Sequence, residues 1–357
     1  MLPELDTSLP IFEWCREQKR PFFEQQMLAL TEHHYHHCEA YRRFIDAQCP
    51  VLPQSLEAIP LMAAELFKHY DLSSVDHASR FKTLHSSGTT GTSPSRIILD
   101  RETAQLQSRV LGKILQSLLG DQRLPMLIAD SNLLSQRADA FAARRAGVQG
   151  LALFGRDHRY LLNDNMQLDE PALRAFAEQY ADSSVLMFGF TFMVWLHLLE
   201  PLLKRGLTFP FKKLFLLHSG GWKQMQDRAV SSEQFNEAAQ SLFGNSTAVH
   251  NFYGMVEQTG SIYLQCEQGH LHAPLYADIR IRDPRNFSLL PVGEPGLIET
   301  LSLLPRSYPG HALLTQDLGR ILGEDDCPCG RKGHYFELFG RQQRAEVRGC
   351  SDTYVAA

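Results

Sequence analysis

The sequence has few runs of one charge and no long apolar run. Lysine and arginine stand side by side only in short groups such as YRRF and FKKLF, and the formal net charge is −5. A nucleic-acid partner is therefore not expected, because a phosphate backbone is bound by a basic patch. A membrane-spanning helix needs about 18 consecutive apolar residues. No such stretch occurs, so we expect no membrane span.

An export signal and a disulfide framework are also missing. The segment MLPELDTSLPIFEWCREQKR has no basic stretch followed by an apolar one, so we expect a cytoplasmic protein. The seven cysteines are odd in number and scattered over 357 residues. This pattern argues against a set of paired disulfides and favours reduced thiols or metal ligands.

Hydrophobic spacing predicts one large α/β domain. Residues 1–80 have helix-like spacing and predict a helical lead-in. In residues 81–262, short apolar runs alternate with helical periods, which indicates an α/β core around a buried sheet. Turn signals multiply over residues 263–340, which predict a β-rich, more antiparallel part, and residues 341–357 form a tail.

A histidine cluster, EHHYHHC, occupies residues 32–38 of the helical lead-in. On a helix, successive side chains point in several directions rather than converging on one ion. We therefore interpret the cluster as ordinary, partly exposed helix surface rather than as a metal site.

The most unusual segment is SSGTTGTSP, residues 86–94, which lies just before the apolar run SRIILD. A flexible linker is one interpretation, because Gly/Ser/Thr tracts are common linkers. The strand-like flanks instead favour a loop that closes a hairpin. Its hydroxyl and amide groups are donors for a polyphosphate, and its glycines allow close approach of the backbone. The loop lacks the spacing of a Walker loop.

This loop resembles the phosphate-binding loop of the adenylate-forming superfamily. Four further segments resemble motifs of that superfamily and follow in its order: LHSGGWK (217–223), NFYGMVEQ (251–258), LLTQDLGRI (313–321) and LFGRQQRAEVRGCS (338–351). The segments FGFTFMVW, FYGMVEQTGSIY and GHLHAP are similar in sequence to the acyl-protein synthetase family of bacterial bioluminescence fatty-acid reductase complexes. That family is related to the phenylacetate-CoA ligases, and the resemblance covers nearly the whole chain.

The resemblance implies a fold and a set of site residues. The fold is the large α/β domain of adenylate-forming enzymes, with mixed sheets, flanking helices, a β-rich final third and no mobile C-terminal domain. The nucleotide-binding residues implied are Ser87, Gly88, Thr89, Thr90 and Gly91 for the phosphates, Gly220, Gly221, Tyr253 and Gly254 for adenine, and Asp317 and Arg341 for the ribose. Glu257 would help to hold Mg²⁺, which prefers carboxylate and phosphate oxygens.

The implied reaction is attack of a carboxylate on the α-phosphate of ATP, which gives an acyl adenylate and pyrophosphate. Two features depart from the superfamily. The phosphate loop there usually ends in Pro-Lys, whereas SPSRI offers Arg96 as its cation. The C-terminal domain and its catalytic lysine are not expected here, so the acyl group must leave the adenylate by another route.

Cys350, in EVRGCSDTYVAA, is the candidate for that route. In acyl-protein synthetases a cysteine near the C-terminus accepts the acyl group as a thioester, and a thiolate is the nucleophile for such a transfer. Arg348 would favour the thiolate electrostatically. An incidental tail cysteine is the alternative interpretation.

A second group of cysteines lies in CEQGHLH (266–272) and CPCGRKGH (327–334). Zn²⁺ takes four nitrogen or sulfur ligands in tetrahedral geometry. Two short turns can supply them, and we expect Cys266, His272, Cys327 and Cys329 to be the ligands of a structural zinc ion. Buried thiols without a metal are the alternative.

The leading functional hypothesis is an ATP-dependent ligase that activates a carboxylic acid, most simply a fatty acid, and transfers it to a protein thiol. The expected partner is an acyl-accepting protein, either an acyl reductase or an acyl carrier protein. An acyl-CoA or acyl-carrier-protein ligase is one alternative, and a ligase-like binding protein without catalysis is another. An apolar substrate tunnel has no short motif, so the acid's chain length does not follow from the sequence.

Overall fold

The computed structural model describes residues 2–86, 94–132, 142–222 and 228–341, with backbone alone for residues 142–146. The helices are α1 (Arg16–His37), α2 (Glu39–Asp46), α3 (Leu66–His69), α4 (Arg101–Leu119), α5 (Ala142–Ala152), α6 (Glu170–Tyr180), α7 (Thr191–Val194), α8 (Glu200–Arg205) and α9 (Ser232–Phe243). A π-helical segment, Trp195–Leu199, joins α7 to α8, and short 3₁₀ turns occupy Leu56–Ala58 and Val256–Gln258.

Most strands belong to one large mixed sheet. The strands are β1 (Met62–Ala63), β2 (Lys82–His85), β3 (Arg96–Leu99), β4 (Leu124–Ser131), β5 (Gly155–Leu162), β6 (Ser184–Phe190), β7 (Lys213–Ser219), β8 (Thr247–Tyr253), β9 (Tyr263–Gln265), β10 (Leu271–His272), β11 (Ala277–Arg282), β12 (Gly296–Ser302), β13 (Ala312–Glu324) and β14 (His334–Arg341). Their order in the 12-stranded sheet is β11-β12-β13-β14-β10-β9-β8-β7-β6-β4-β5, and β1 pairs with β13. Strands β2 and β3 form a separate hairpin.

The direction of pairing changes in the middle of this sheet. Strands β5, β4, β6, β7 and β8 pair in parallel, and we call them the parallel half. Every pair within β11, β12, β13 and β14 is antiparallel, and these four strands are the antiparallel half. The short strands β9 and β10 connect the halves, and both also pair antiparallel. The α/β fold class and its β-rich final third are therefore confirmed.

Helices cover both faces of the parallel half. On one face, Met126, Ile128 and Leu186 pack with α1, α4 and α5. Their sequence neighbours, such as Leu127 and Val185, point to the other face and pack with α6 to α9. Because successive residues of a strand alternate between faces, strands buried on both sides are apolar throughout. This explains the near-continuous apolar sequences SVLMFGF and KLFLLHS of β6 and β7.

The helical lead-in differs from the expectation in one respect, which concerns the histidine cluster. His36 and His37 are exposed and His33 is half-buried, but His34 is completely buried. His34 Nδ1 lies 2.8 Å from Ser74 Oγ, and its Nε2 lies 3.0 Å from the carbonyl oxygen of Pro305. The prediction of a partly exposed surface is thus wrong for His34, because α1 presents it to distant residues. Among the residues described, no helix is long and apolar enough to cross a membrane.

Candidate active site and cysteine–histidine cluster

The parallel half supplies a polar rim where its strands end. Ser219, the last residue of β7, pairs with Phe252 of β8, and its hydroxyl donates to the Phe252 carbonyl oxygen over 2.9 Å. Gly220 and Gly221 follow β7 and are exposed, and Tyr253 and Gly254 stand at the end of β8. Gly220 has φ +81°, a backbone conformation that favours glycine. Ligands of open α/β sheets bind at this edge, beyond the carboxyl ends of the strands.

A tyrosine, an aspartate and an arginine meet beside this rim. The Tyr253 hydroxyl donates to Asp317 Oδ2 over 2.8 Å, and Arg341 Nε lies 3.4 Å from Asp317 Oδ1. Asp317 on β13 pairs directly with Arg341 on β14. The Thr315 hydroxyl accepts from the backbone N–H of Asp317 over 3.1 Å, which helps to fix the carboxylate. The aspartate side chain stays 18% exposed, so a ligand can reach it.

The Tyr253 side chain is buried, unlike an aromatic ring that presents an open face for stacking on a ligand. Its ring packs edge-on against Phe336, with centroids 6.3 Å apart, and lies 5.9 Å from the ring of Tyr263. Burial and the adjacent Asp317 carboxylate raise the pKa of Tyr253 well above its ordinary value. The phenol therefore remains a neutral donor to Asp317 at physiological pH. Local sequence patterns do not predict this hydrogen bond, because 64 positions separate the two residues.

Glu257 lies in the 3₁₀ turn that follows β8, and it is buried. Burial raises the pKa of its carboxyl group, and the Ser95 hydroxyl, Lys68 and Arg341 offset that effect in part. The next residue anchors the turn, because Gln258 Nε2 donates to the Gly310 carbonyl oxygen over 2.8 Å. The arrangement places a buried carboxylate near the start of β3, where Ser95 also lies.

The sequence-predicted phosphate loop falls partly outside the described residues. Strands β2 and β3 on its two sides pair antiparallel, with His85 opposite Arg96, so the expected hairpin is present in the flanks. Arg96 is exposed at the start of β3. The predicted phosphate-binding residues Ser87, Gly88, Thr89, Thr90 and Gly91 lie outside the described residues, as does the predicted acceptor Cys350.

The four predicted metal ligands converge on one point. Cys266 follows β9, His272 ends β10, and Cys327 and Cys329 lie in the turn between β13 and β14. One ligand atom from each residue lies within 4.8 Å of the others, and Cys329 Sγ is 3.3 Å from His272 Nε2. This is the one such group among the residues that the structure describes.

The surroundings of the cluster suit a soft cation. Burial raises the pKa of Cys266, Cys327 and Cys329, so the thiols keep their protons unless a cation replaces them. Burial also lowers the pKa of His272 to about 3, which keeps the imidazole neutral, as ligation requires. The backbone N–H of Arg331 donates to Cys329 Sγ over 3.4 Å, and His270 Nδ1 lies 3.3 Å from Cys327 Sγ. Contacts of this kind orient thiolate ligands.

Fold comparison defines the class of protein. A crystal structure of 2-hydroxyisobutyryl-CoA ligase in the postadenylation state, in complex with 2-HIB-AMP, matches 96% of this chain and 72% of its own, with a TM-score of 0.69 and 17% identity. An open conformation of the same ligase, in complex with 2-HIB-AMP and CoA, matches 96% of this chain and 80% of its own, with a TM-score of 0.64 and 16% identity. The chain thus has the fold of the adenylate-forming ligases.

Sequence comparison then gives the family. Residues 5–357 match the family described as acyl-protein synthetase, LuxE, and the chain belongs to that family. It is also similar to the long-chain-fatty-acid–luciferin-component ligase of Vibrio harveyi, with 22% identity over 350 residues that cover 95% of this chain and 89% of the relative. The chain is therefore a ligase that activates an acyl group as its adenylate and transfers it to a thiol.

Proposed function

We propose that this ligase activates a fatty acid with ATP and passes the acyl group through Cys350 to an acyl-accepting partner protein. The observation that carries the proposal is the Tyr253–Asp317–Arg341 group at the edge of the sheet. The long-chain fatty acid in the name of the Vibrio harveyi relative supports the choice of acid.

Asp317 is the proposed contact to ribose. An ionised carboxylate only accepts hydrogen bonds, and its two oxygens suit the vicinal hydroxyls of a nucleoside. Tyr253 holds one of these oxygens through its own donated bond, so the carboxylate is positioned before the nucleotide arrives. Arg341, whose side chain is 68% exposed, is free to turn toward the α-phosphate. Adenine would then lie over Gly220, Gly221 and Gly254, beside Tyr253.

The phosphates are assigned to the loop Ser87–Gly91 and to Arg96. In the sequence this loop lies between β2 and β3, Arg96 begins β3, and the preceding residue, Ser95, lies close to the buried Glu257. A carboxylate that burial shifts toward its neutral form would gain a compensating charge from Mg²⁺, and the Ser95 hydroxyl adds an oxygen. This donor set fits Mg²⁺, which would neutralise charge on the phosphates when bound.

Replacing both Thr89 and Thr90 by alanine should lower adenylate formation by orders of magnitude.

Transfer to Cys350 is a balanced acyl substitution. The thiolate sulfur attacks the carbonyl carbon of the mixed anhydride, the new C–S bond forms, the C–O bond to AMP breaks, and AMP leaves as the anion. The thiol proton is released to solvent. Arg348, two residues earlier, favours the thiolate. A thioester exchange, with no net redox change, would then pass the acyl group from Cys350 to a thiol of a partner reductase or acyl carrier protein.

The test separates the two steps of this reaction. A panel of fatty acids should stimulate exchange of labelled pyrophosphate into ATP, and the wild type should accumulate a hydroxylamine-labile acyl-enzyme. Cys350→Ser should keep the exchange and lose the acyl-enzyme, because a hydroxyl is a much weaker nucleophile near neutral pH than a thiol. Cys49→Ser is the matched control and should behave like the wild type.

Other outcomes would assign other functions. Acyl transfer to free CoA, with no labelled protein, would make the chain an acyl-CoA ligase. Labelling that needs a second protein would place the acceptor thiol on the partner. No exchange with any acid, despite nucleotide binding, would leave a ligase-like binding protein.

We also propose that Cys266, His272, Cys327 and Cys329 hold one structural zinc ion. Three thiolates and one imidazole complete a four-coordinate set, so no position remains open for catalysis. Metal analysis of protein purified without added zinc should find about one equivalent per chain. A chain purified in its folded state without any bound metal would contradict the site.

A further inference from the structure

The two halves of the sheet meet through very few backbone pairs. In the strand order, β10 is the link between β9 and β14, and β10 has only two residues. Leu271 pairs with Phe336 and His272 with Tyr335, and the backbone N–H of Ala273 donates to the His334 carbonyl oxygen over 2.9 Å. Neighbouring strands in the parallel half share up to seven paired positions, as β6 and β7 do. The β8–β9, β9–β10 and β10–β14 pairings each have only two paired positions, so the connection between the two halves is narrow.

The cysteine–histidine cluster spans this junction. Cys266 follows β9 and His272 ends β10, the two strands that connect the halves, whereas Cys327 and Cys329 lie in the β13–β14 turn of the antiparallel half. The His272 ring also stacks on Tyr335 of β14, with centroids 5.7 Å apart. A metal ion bound here would cross-link the antiparallel half to the β9–β10 connection that leads to the parallel half, where each strand pairing has only two positions.

The candidate nucleotide site is divided between the same two halves. Tyr253 and the glycines Gly220 and Gly221 belong to the parallel half, whereas Asp317 and Arg341 belong to the antiparallel half. Phe336, one of the two junction residues on β14, packs against Tyr253. A small rotation of one half against the other would lengthen the 2.8 Å bond between Tyr253 and Asp317 and separate the adenine contacts from the ribose contacts.

The N-terminal segment also packs against the cluster, from outside the sheet, through Phe12. The Phe12 and His272 rings meet in a T-shaped contact with centroids 6.2 Å apart, and the Arg331 guanidinium lies over the Phe12 ring, 4.6 Å from its centroid. The backbone N–H of Lys332 donates to the Phe12 carbonyl oxygen over 2.8 Å. The N-terminal segment thus covers the cluster and packs it against the turn, which limits solvent access to the ligands.

We infer that the metal ion is a clamp that sets the relative position of the two halves, so that metal binding and nucleotide binding strengthen each other. This inference rests on both proposals made above, the nucleotide site at Asp317 and the zinc site. Coupling between two sites is reciprocal: if zinc raises the affinity for a nucleotide by some factor, the nucleotide raises the affinity for zinc by the same factor. A factor of about 5 to 150 is usual for coupled sites.

AMP is the appropriate probe, because it needs the adenine and ribose contacts but no Mg²⁺. Wild-type protein would be stripped of zinc with a chelator and titrated with AMP by calorimetry, before and after zinc is restored. We expect the Kd for AMP to be at least about fivefold higher in the stripped protein and to return with zinc. The reciprocal measurement, zinc affinity with and without saturating AMP by competition with a chromophoric chelator, needs no variant and should give the same factor.

Two variants distinguish a clamp from general damage. Cys329→Ser should weaken AMP binding as metal removal does, whereas Cys49→Ser, a half-buried cysteine outside the cluster, should change neither affinity. Asp317→Ala should keep its zinc but show no gain in zinc affinity on addition of AMP. If Cys329→Ser does not fold, the reciprocal measurement on wild type decides.

The possible outcomes distinguish failure of the clamp from failure of the two proposals on which it rests, the nucleotide site and the zinc site. Equal AMP affinity with and without zinc, within twofold, would overturn the clamp and leave both sites standing. No AMP binding by the zinc-loaded protein would overturn the nucleotide site and the clamp with it. Failure to bind zinc would remove the metal site and therefore the clamp, while AMP binding would still support the ligase.

Discussion

The parallel and antiparallel halves of the sheet differ in the kinds of side chain that they bury. The interior of the parallel half is mostly apolar, although it also buries polar residues such as Asp130, His218 and His250, and helices cover both of its faces. The antiparallel half buries ion pairs: Arg282 Nε lies 2.7 Å from Glu299 Oε2, and Lys19 Nζ lies 3.4 Å from Asp278 Oδ2. The same half supplies Asp317, Arg341 and two of the four cluster ligands. The parallel half thus contributes mainly buried apolar surface, and the antiparallel half contributes many of the polar side chains of the proposed sites.

This division has an energetic consequence. A buried ion pair is costly to desolvate and strongly destabilising when one partner is lost, so it fixes geometry more than it adds stability. The antiparallel half is therefore built for fixed positions of polar groups, and the parallel half for burial of apolar surface. A site that combines the two needs a stable junction between them.

The largest expected effect comes from removing the metal at that junction. A ligand present at a thousandfold excess over its Kd stabilises the folded state by about 4 kcal/mol, so chelation should lower the unfolding free energy by about that amount. Calorimetric melting with and without a zinc chelator measures the change, and added zinc should reverse it. A melting temperature that does not respond to chelation would mean that the junction is stable by itself.

Asp317→Ala should have the next largest effect, mainly on nucleotide binding, and loss of the acceptor for the buried Tyr253 hydroxyl should also lower the unfolding free energy by about 1–2 kcal/mol. Hydrogen bonds to a charged group contribute about 1.5–3 kcal/mol each, so loss of the ribose acceptor should raise the Kd for ATP by about a hundredfold. Titration calorimetry gives the affinity, and circular dichroism shows whether the fold is retained. An unchanged Kd would remove Asp317 from the site and make it a structural partner of Tyr253.

Sequence analysis predicted the parts of these proposed sites that are local in the chain. The cluster ligands come in two short segments, Cys266–His272 and Cys327–Cys329, and each segment alone suggests a metal turn. Asp317 and Tyr253 were found through motif resemblance. The antiparallel nature of the final third was evident from its turn signals, because short strands joined by tight turns usually pair antiparallel.

Contacts between distant segments could not be predicted in this way. Strand β1 pairs with β13, about 250 residues later, and His34 is buried by Ser74 and Pro305. Local periodicity reports which face of an element is apolar, but not which partner will cover it. The hydrogen bond from Tyr253 to Asp317 was missed for the same reason.

Tyr253→Phe should sharpen the comparison, since this hydroxyl forms a direct bond between the halves. Removing it leaves Asp317 without its buried donor and should lower the unfolding free energy by about 1–2 kcal/mol. The effect on AMP affinity should be smaller than that of Asp317→Ala, because both carboxylate oxygens remain for ribose. Urea unfolding and AMP titration of the same sample test both statements. A loss of affinity as large as that of the alanine variant would show that the hydroxyl itself contacts the nucleotide.

The smallest expected effect is a pH dependence confined to the antiparallel half. His334 of β14 faces Asp278 of β11 at 2.8 Å, Glu324 of β13 at 3.5 Å, and Lys19 of α1 beyond Asp278. Burial and Lys19 lower the pKa of His334, but the two carboxylates outweigh them, so the pKa lies above its ordinary value. The folded state thus binds a proton more tightly than the unfolded state. This contribution to stability is complete below the unfolded pKa of about 6.5 and is lost as pH rises through the folded pKa. Melting temperatures of wild type and His334→Gln should therefore differ most below about pH 6.5 and converge as the pH rises above that value, measured with zinc saturating throughout. A difference that grows with rising pH would show that His334 is neutral in the folded protein and that Lys19 alone neutralises Asp278.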